Sequence, residues 1–197
     1  MNTHTFKQGR RWRPDVYLSH AHGQAQIWKD FRHLKGLKGW FGGWAMARER
    51  RLLANAGARG DAPFPLDSPH PRILAMTFVE GRELQPGDDT ALASLMAVLG
   101  RLHAQGIAHN DIHRSNVRVV GSRAMLLDFG AASQLPALLK PLTALLQRRD
   151  LQYARKLLAR YATDPQPVPP NPRWIRGLQG LWNTLRRKRM DRHPATG

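Results

Sequence analysis

Asp111, Asn116 and Asp128 are the residues around which this sequence can do chemistry. The first two belong to His109-Asn110-Asp111-Ile112-His113-Arg114-Ser115-Asn116, a polar loop between two apolar runs. The third heads Asp128-Phe129-Gly130, twelve residues further on. Phosphoryl transfer needs this set: a carboxylate to orient an attacking hydroxyl, and an Asn and an Asp to hold Mg²⁺ on nucleotide phosphates. Residues 117–120 and 125–127 read as short strands between the two loops. His109 and His113 flank an acid at a spacing of four, which suggests zinc. That motif needs a helix to bring both rings onto one face. Here the loop follows Gly106 and precedes Val117, Val119 and Val120, so no helix is expected and zinc is set aside.

The elements that must position these residues follow from pattern. Phe6 to Arg13 reads as a strand and a basic turn. Residues 15–18 and 24–31 read as strands joined by a turn at 19–23, with His20 and His22 at a polar hairpin tip rather than on a metal. Lys29 sits late in the second of these strands. A helix is expected over about 44–56, with Glu49 as its one acid among arginines. The stretch between them holds four glycines, Trp40, Phe41 and Trp44 among cations; it reads either as a mobile interfacial loop or as a packed connection. Ile73 to Val79 reads as a buried strand ending at Glu80. Asp89 or Thr90 can cap the next helix, whose Leu92, Leu95, Met96, Leu99 and Leu102 form a core stripe. After Phe129, two helical stripes are expected. One comprises Leu138, Leu142, Leu145 and Leu146 and is bent by Pro141; the other runs from Leu151 to Tyr161 and is capped by Asp150.

The 197 residues suffice for one domain or two small lobes around a cleft, and 42% hydrophobic content supports a real core. There is no apolar run long enough to span a bilayer, no apolar leader, and no cysteine, so a cytosolic chain is expected. Thirty-one Lys and Arg against 14 acids leave a net charge of +17, which favours a polyanionic partner. Residues 164–172 hold five prolines and read as a stiff linker. In the tail over 173–197, Trp174, Leu178, Leu181, Trp182 and Leu185 share a helical face, and residues 173–189 supply six cations. This is the pattern of a basic amphipathic tail lying on an anionic membrane, against the alternative of a helix docked on its own domain.

Together, the His109–Asn116 loop, Asp128-Phe129-Gly130, Lys29 and Glu49 resemble the protein-kinase-like superfamily. With so small a C-terminal part, the chain looks most like bacterial lipopolysaccharide core kinases and RIO-like atypical kinases. The resemblance implies an α+β, two-lobed fold with a small antiparallel-sheet N-lobe and a reduced helical C-lobe lacking a long activation segment. It divides the chain into a kinase-like domain over 1–163 (N-lobe to about 80), a linker over 164–172 and a tail over 173–197. It implies ATP and Mg²⁺ as cofactors. Asp111 would act on the acceptor hydroxyl, with His113 at the transferred phosphate or ordering the loop. Asn116 and Asp128 would bind the metal. Lys29 would hold phosphates, Glu49 would hold Lys29, and the segment at Glu80 would meet adenine. His109 would brace the loop. Only Gly9 stands where a Gly-rich loop is usual, and Asn110 is unusual at its position. The resulting expectation is a kinase acting on a sugar hydroxyl of an anionic glycolipid, peripheral on the inner face of the bacterial inner membrane. The rivals are a RIO-like protein kinase, with nucleic acid a less favoured partner, and a non-catalytic adaptor for a polyanion.

Overall fold

A computed structural model describes residues 3–7, 13–21 and 23–164. The chain folds into an antiparallel sheet followed by a helical part. The sheet has the order β1-β2-β3-β5-β4, formed by β1 (Thr3–Lys7), β2 (Asp15–Ala21), β3 (Gln24–Asp30), β4 (Pro65–Leu66) and β5 (Ile73–Thr77). β2 and β3 form the expected hairpin, with β2 three residues longer than the pattern predicts, and the turn includes Gly23, whose φ of 75° suits a residue without a Cβ. β3 is the central strand, and Lys29 pairs in register with Val16 on one side and Leu74 on the other.

Helix α1 crosses behind the sheet over Gly36–Gly57, more than two turns longer than expected at its start. The glycines of the stretch that reads as either a mobile loop or a packed connection lie within this helix. Gly39 and Gly42 are buried: a Cβ at Gly39 would lie 2.7 Å from the Leu34 carbonyl, and one at Gly42 would lie 2.8 Å from Leu34 Cδ1. Close packing, rather than freedom, requires glycine there. Leu37, Trp40, Phe41 and Trp44 are exposed along this first half of α1.

The helical part begins with α2 (Asp89–Ala104), whose Leu92, Leu95, Leu99 and Leu102 are buried as their spacing requires. Asp89 does not cap it. It lies in the first turn and accepts hydrogen bonds from the Thr163 N–H and hydroxyl, at 2.9 and 2.5 Å. Two short ladders follow: β7 (Val117–Val120) with β8 (Arg123–Leu126), and β6 (Ile107–Ala108) with β9 (Ser133–Gln134). The chain then enters α3 (Lys140–Tyr161), a single helix where two stripes were expected. Pro141 lies in its first turn, where its missing N–H costs nothing, so it starts the helix instead of bending it. Leu138 and Leu142 are exposed; Ala154, Leu157 and Tyr161 carry the buried face. No described helix is long and apolar enough to cross a membrane. The expected linker beyond Asp164 and the tail lie outside the described residues, as do Gly9, Arg10, Arg11 and His22.

Candidate active site

Lys29, Glu49 and Asp128 come from a strand, a helix and a loop that are distant in sequence, and they meet at one ammonium. Lys29 Nζ lies 2.5 Å from Glu49 Oε1 and 2.7 Å from Asp128 Oδ1. Lys29 and Glu49 are buried, while about half of the Asp128 side chain is exposed. Burial works against the charge of Lys29, but Glu49 and Asp128 outweigh it and its pKa is raised, so it stays a cation at neutral pH. Burial likewise opposes the charge of Asp128, and Lys29 outweighs it, holding that carboxyl below its ordinary range. Glu49 shows the reverse balance: its burial exceeds the pull of Lys29, and its carboxyl is pushed up.

Two features set the Asp128 carboxylate. Its backbone is left-handed, at φ 58° and ψ 77°, and its Oδ1 also accepts the Gly130 N–H at 3.2 Å. Asp is among the few residues that tolerate that backbone, because a short polar side chain can bond locally. Arg48 of α1 donates to the Gly130 carbonyl at 2.5 Å and ties the helix that carries Glu49 to this loop.

The second half of the site is a braced loop. Asn116 Nδ2 donates to the Asp111 carbonyl and to Asp111 Oδ2, both at 3.0 Å. His113 Nε2 lies 3.3 Å from the same Oδ2, and Ser115 Oγ is 2.8 Å from His113 Nδ1. Leu127, immediately before Asp128, donates its N–H to the Asn116 carbonyl at 2.8 Å, and its own carbonyl accepts from His109 Nε2 at 3.0 Å. Since a carbonyl can only accept, the His109 proton sits on Nε2. Burial pushes the His109 pKa down, so the ring is neutral, wedged edge-on against Phe129 with centroids 4.9 Å apart. His109 and His113 therefore meet different neighbours on a stretch that is not α-helical, as its flanking residues predict.

Asn110 has φ 65°, and its Nδ2 donates to Ala131 O at 3.0 Å and Ser133 Oγ at 2.9 Å. The unusual residue there is one that tolerates a left-handed backbone and fastens the loop to the segment after Gly130. Glu80 lies in the connection between β5 and α2, exposed, and no described hydrogen bond or ion pair joins it to the Lys29 cluster.

The donor set suits a hard divalent cation. One ammonium between two carboxylates leaves a surplus negative charge. Asp128 Oδ1 takes Lys29 and Gly130, which leaves Oδ2 for a ligand; Asn116 turns its amide N–H toward Asp111, which leaves its Oδ1. Among the described residues no cluster of three or more His, Cys, Asp or Glu exists to cage a metal. A cation bound here would take most of its ligands from phosphate and water, as Mg²⁺ does.

Sequence reasoning missed Asp150. It reads as a helix cap, yet it is buried inside α3, where its Oδ2 and Oδ1 accept the His109 and Asn110 backbone N–H groups at 2.7 and 2.8 Å. His103 Nε2 of α2 is 3.2 Å from the same carboxylate. The signal was present: Asp150, Ala154, Leu157 and Tyr161 follow one another at helical spacing, so the acid sits on the apolar stripe and needs a partner.

Solved structures share this fold. The Rio2 kinase of Chaetomium thermophilum superposes with a TM-score of 0.60 at 15% identity, covering 85% of this chain and 60% of that one. Its ADP/Mg²⁺-phosphoaspartate complex gives 0.59 at 16%, covering 83% and 59%. The fold is kinase-like. In sequence, 86 residues are 36% identical to a probable bifunctional tRNA threonylcarbamoyladenosine biosynthesis protein of Methanosarcina acetivorans. The counterpart from Methanothermobacter thermautotrophicus is 36% identical over 87 residues. The match covers 43% and 42% of this chain respectively, and 16% of each relative's length. No family model matches. These matches carry nothing toward the lipopolysaccharide core kinases expected from the sequence.

Proposed function

We propose that this chain is an ATP- and Mg²⁺-dependent phosphotransferase of the RIO-like kind, with an alcohol as acceptor. The carrying observation is the Lys29 ammonium shared between Glu49 and Asp128, together with a third carboxylate, Asp111, held by Asn116. Lys29 pairs with nucleotide phosphate and Glu49 fixes Lys29. Asn116 and Asp128 hold Mg²⁺, which supplies neutralisation of phosphate charge when bound. Asp111 orients the acceptor hydroxyl and takes its proton: the hydroxyl oxygen bonds to the γ-phosphorus, the bond from that phosphorus to the β–γ bridging oxygen breaks, and ADP leaves. His113, against Asp111 Oδ2, fixes the carboxylate and faces the transferred group. The connection at Glu80 receives the adenine.

The Rio2 likeness supports nucleotide and Mg²⁺ use, and with the archaeal relatives it favours a RIO-like kinase over a glycolipid kinase. One observation keeps the glycolipid reading as a second choice: the exposed Leu37, Trp40, Phe41 and Trp44 on α1, among Lys35 and Lys38, suit a membrane interface. A thermal-shift titration tests the main proposal. MgATP is expected to raise the Tm of the parent, with little effect when Mg²⁺ is chelated and none for Lys29→Met. Equal shifts in parent and variant would refute the assignment.

A further inference from the structure

A cavity of about 400 Å³ opens beside the Asp111 loop, between that loop and α3. Its floor is Ile112 and Leu157, its rim is His113 and Ser115, and its outer wall is α3 from Tyr153 to Tyr161. The volume is that of a small-molecule site. His113 joins the cavity to the chemistry, because the same ring lies 3.3 Å from Asp111 Oδ2.

The charges in the wall are unequal in number and in partnership. Glu83 is the one carboxylate among the lining residues, and Arg114 and Arg118 already share it at 3.0 and 3.5 Å. Lys156 and Arg160, one helical turn apart, form no ion pair among the described residues. Each lies over a tyrosine ring instead: Lys156 is 4.8 Å from the centroid of Tyr153, and Arg160 is 5.6 Å from that of Tyr161. Arg114 covers Tyr161 at 5.7 Å. Contact with the aromatic faces holds these exposed cations at the cavity wall, where their charge stays available to an anion.

Resting on the phosphotransferase reading, we propose that this cavity is the acceptor subsite, and that the acceptor is a small sugar or polyol already bearing a phosphate group. The phosphate sits on Lys156 and Arg160, the tyrosines flank the ring, and a free hydroxyl reaches Asp111 past His113. A compact acceptor also fits the chain after Asp128. Only residues 129–139 separate Asp128 from α3, and β9, the one strand among them, is already paired to β6, so no long segment exists to dock a peptide.

The test uses the full chain and the double variant Lys156→Ala/Arg160→Ala, both of which are exposed positions. Inorganic phosphate is titrated calorimetrically into protein saturated with a non-hydrolysable ATP analogue and Mg²⁺. Phosphate binding is expected to weaken at least tenfold in the double variant while nucleotide affinity stays within twofold; equal phosphate affinity would overturn the site. Transfer of labelled γ-phosphate is then followed to mixed pentose and hexose phosphates, to the same sugars without phosphate, to vesicles containing phosphatidylinositol 4-phosphate, and to a phosphoserine peptide. Labelling of free sugar phosphates supports a soluble acceptor, and labelling of the vesicles alone supports a lipid headgroup. Equal labelling of unphosphorylated sugars, labelling of the peptide alone, or no labelling of any phosphorylated acceptor would overturn the proposal. A chain that fails to bind nucleotide but still loses phosphate affinity in the double variant would refute the phosphotransferase reading and leave the anion site standing.

Discussion

Asp150 lies in the middle of α3 and accepts the backbone N–H groups of His109 and Asn110, so one buried carboxylate fixes the loop that carries Asp111. Hydrogen bonds to a charged acceptor are stronger than neutral ones, and removing the acceptor strands two buried donors. Asp150→Ala is expected to cost about 3 kcal/mol in denaturant unfolding. Asp150→Asn, with one oxygen, should recover part of that loss. Turnover should fall in both, with the larger change in kcat, because the loop and not the nucleotide contacts is disturbed. Unchanged stability in Asp150→Ala would remove this bracing role.

The Lys29–Glu49 pair separates stability from activity. Lys29→Met leaves Glu49 buried without its counter-charge and is expected to cost about 3 kcal/mol. Adding Glu49→Leu should restore most of that stability, since an apolar pair can replace a buried ion pair. Nucleotide-dependent turnover should stay lost in the double variant. Recovery of turnover there would show that Lys29 does not serve the phosphates.

The pH dependence follows from the signs. Asp128 has a depressed pKa, so its contribution to stability is present above its ordinary 3.8 and is lost as pH falls through its folded value. Lys29 has a raised pKa; its contribution is present below 10.5 and is lost as pH rises through its folded value. Glu49 works the other way, because its raised carboxyl subtracts from stability as pH rises above 4.5. The stability difference between parent and Asp128→Asn should therefore be flat across neutral pH and shrink below 3.8. Paired unfolding curves over that range would check it; a difference that grows toward acid would contradict the sign.

The glycines of α1 give an internal control. Gly39→Ala would push a Cβ to 2.7 Å from the Leu34 carbonyl and is expected to cost about 1–3 kcal/mol. At Gly43 a Cβ meets nothing within 4 Å, and alanine there should stabilise the helix by about 0.5–1 kcal/mol. Two thermal melts decide between packing and flexibility as the reason for these glycines.

Legible in the sequence were the kinase-like order of Lys29, Glu49, Asp111, Asn116 and Asp128, of which the structure joins Lys29, Glu49 and Asp128 at one ammonium, and the alternation of the strands around them. What was not legible depends on contacts between distant segments. Gly39 and Gly42 look like helix breakers until Leu34 is seen against them. Pro141 bends a helix only if it falls inside one, and here it falls in the first turn. Asp150 looks like a cap until the His109 and Asn110 N–H groups are seen to reach it, across forty residues of chain.

The most direct measurement follows label from [γ-³²P]ATP, with and without Mg²⁺, in the parent and in Asp111→Asn, which preserves the size of the side chain. Label appearing on the protein or an added alcohol acceptor with the parent, dependent on Mg²⁺ and reduced at least a hundredfold in the variant, is the result this account predicts. Equal transfer by parent and variant, or nucleotide bound with no transfer to any hydroxyl, would contradict it.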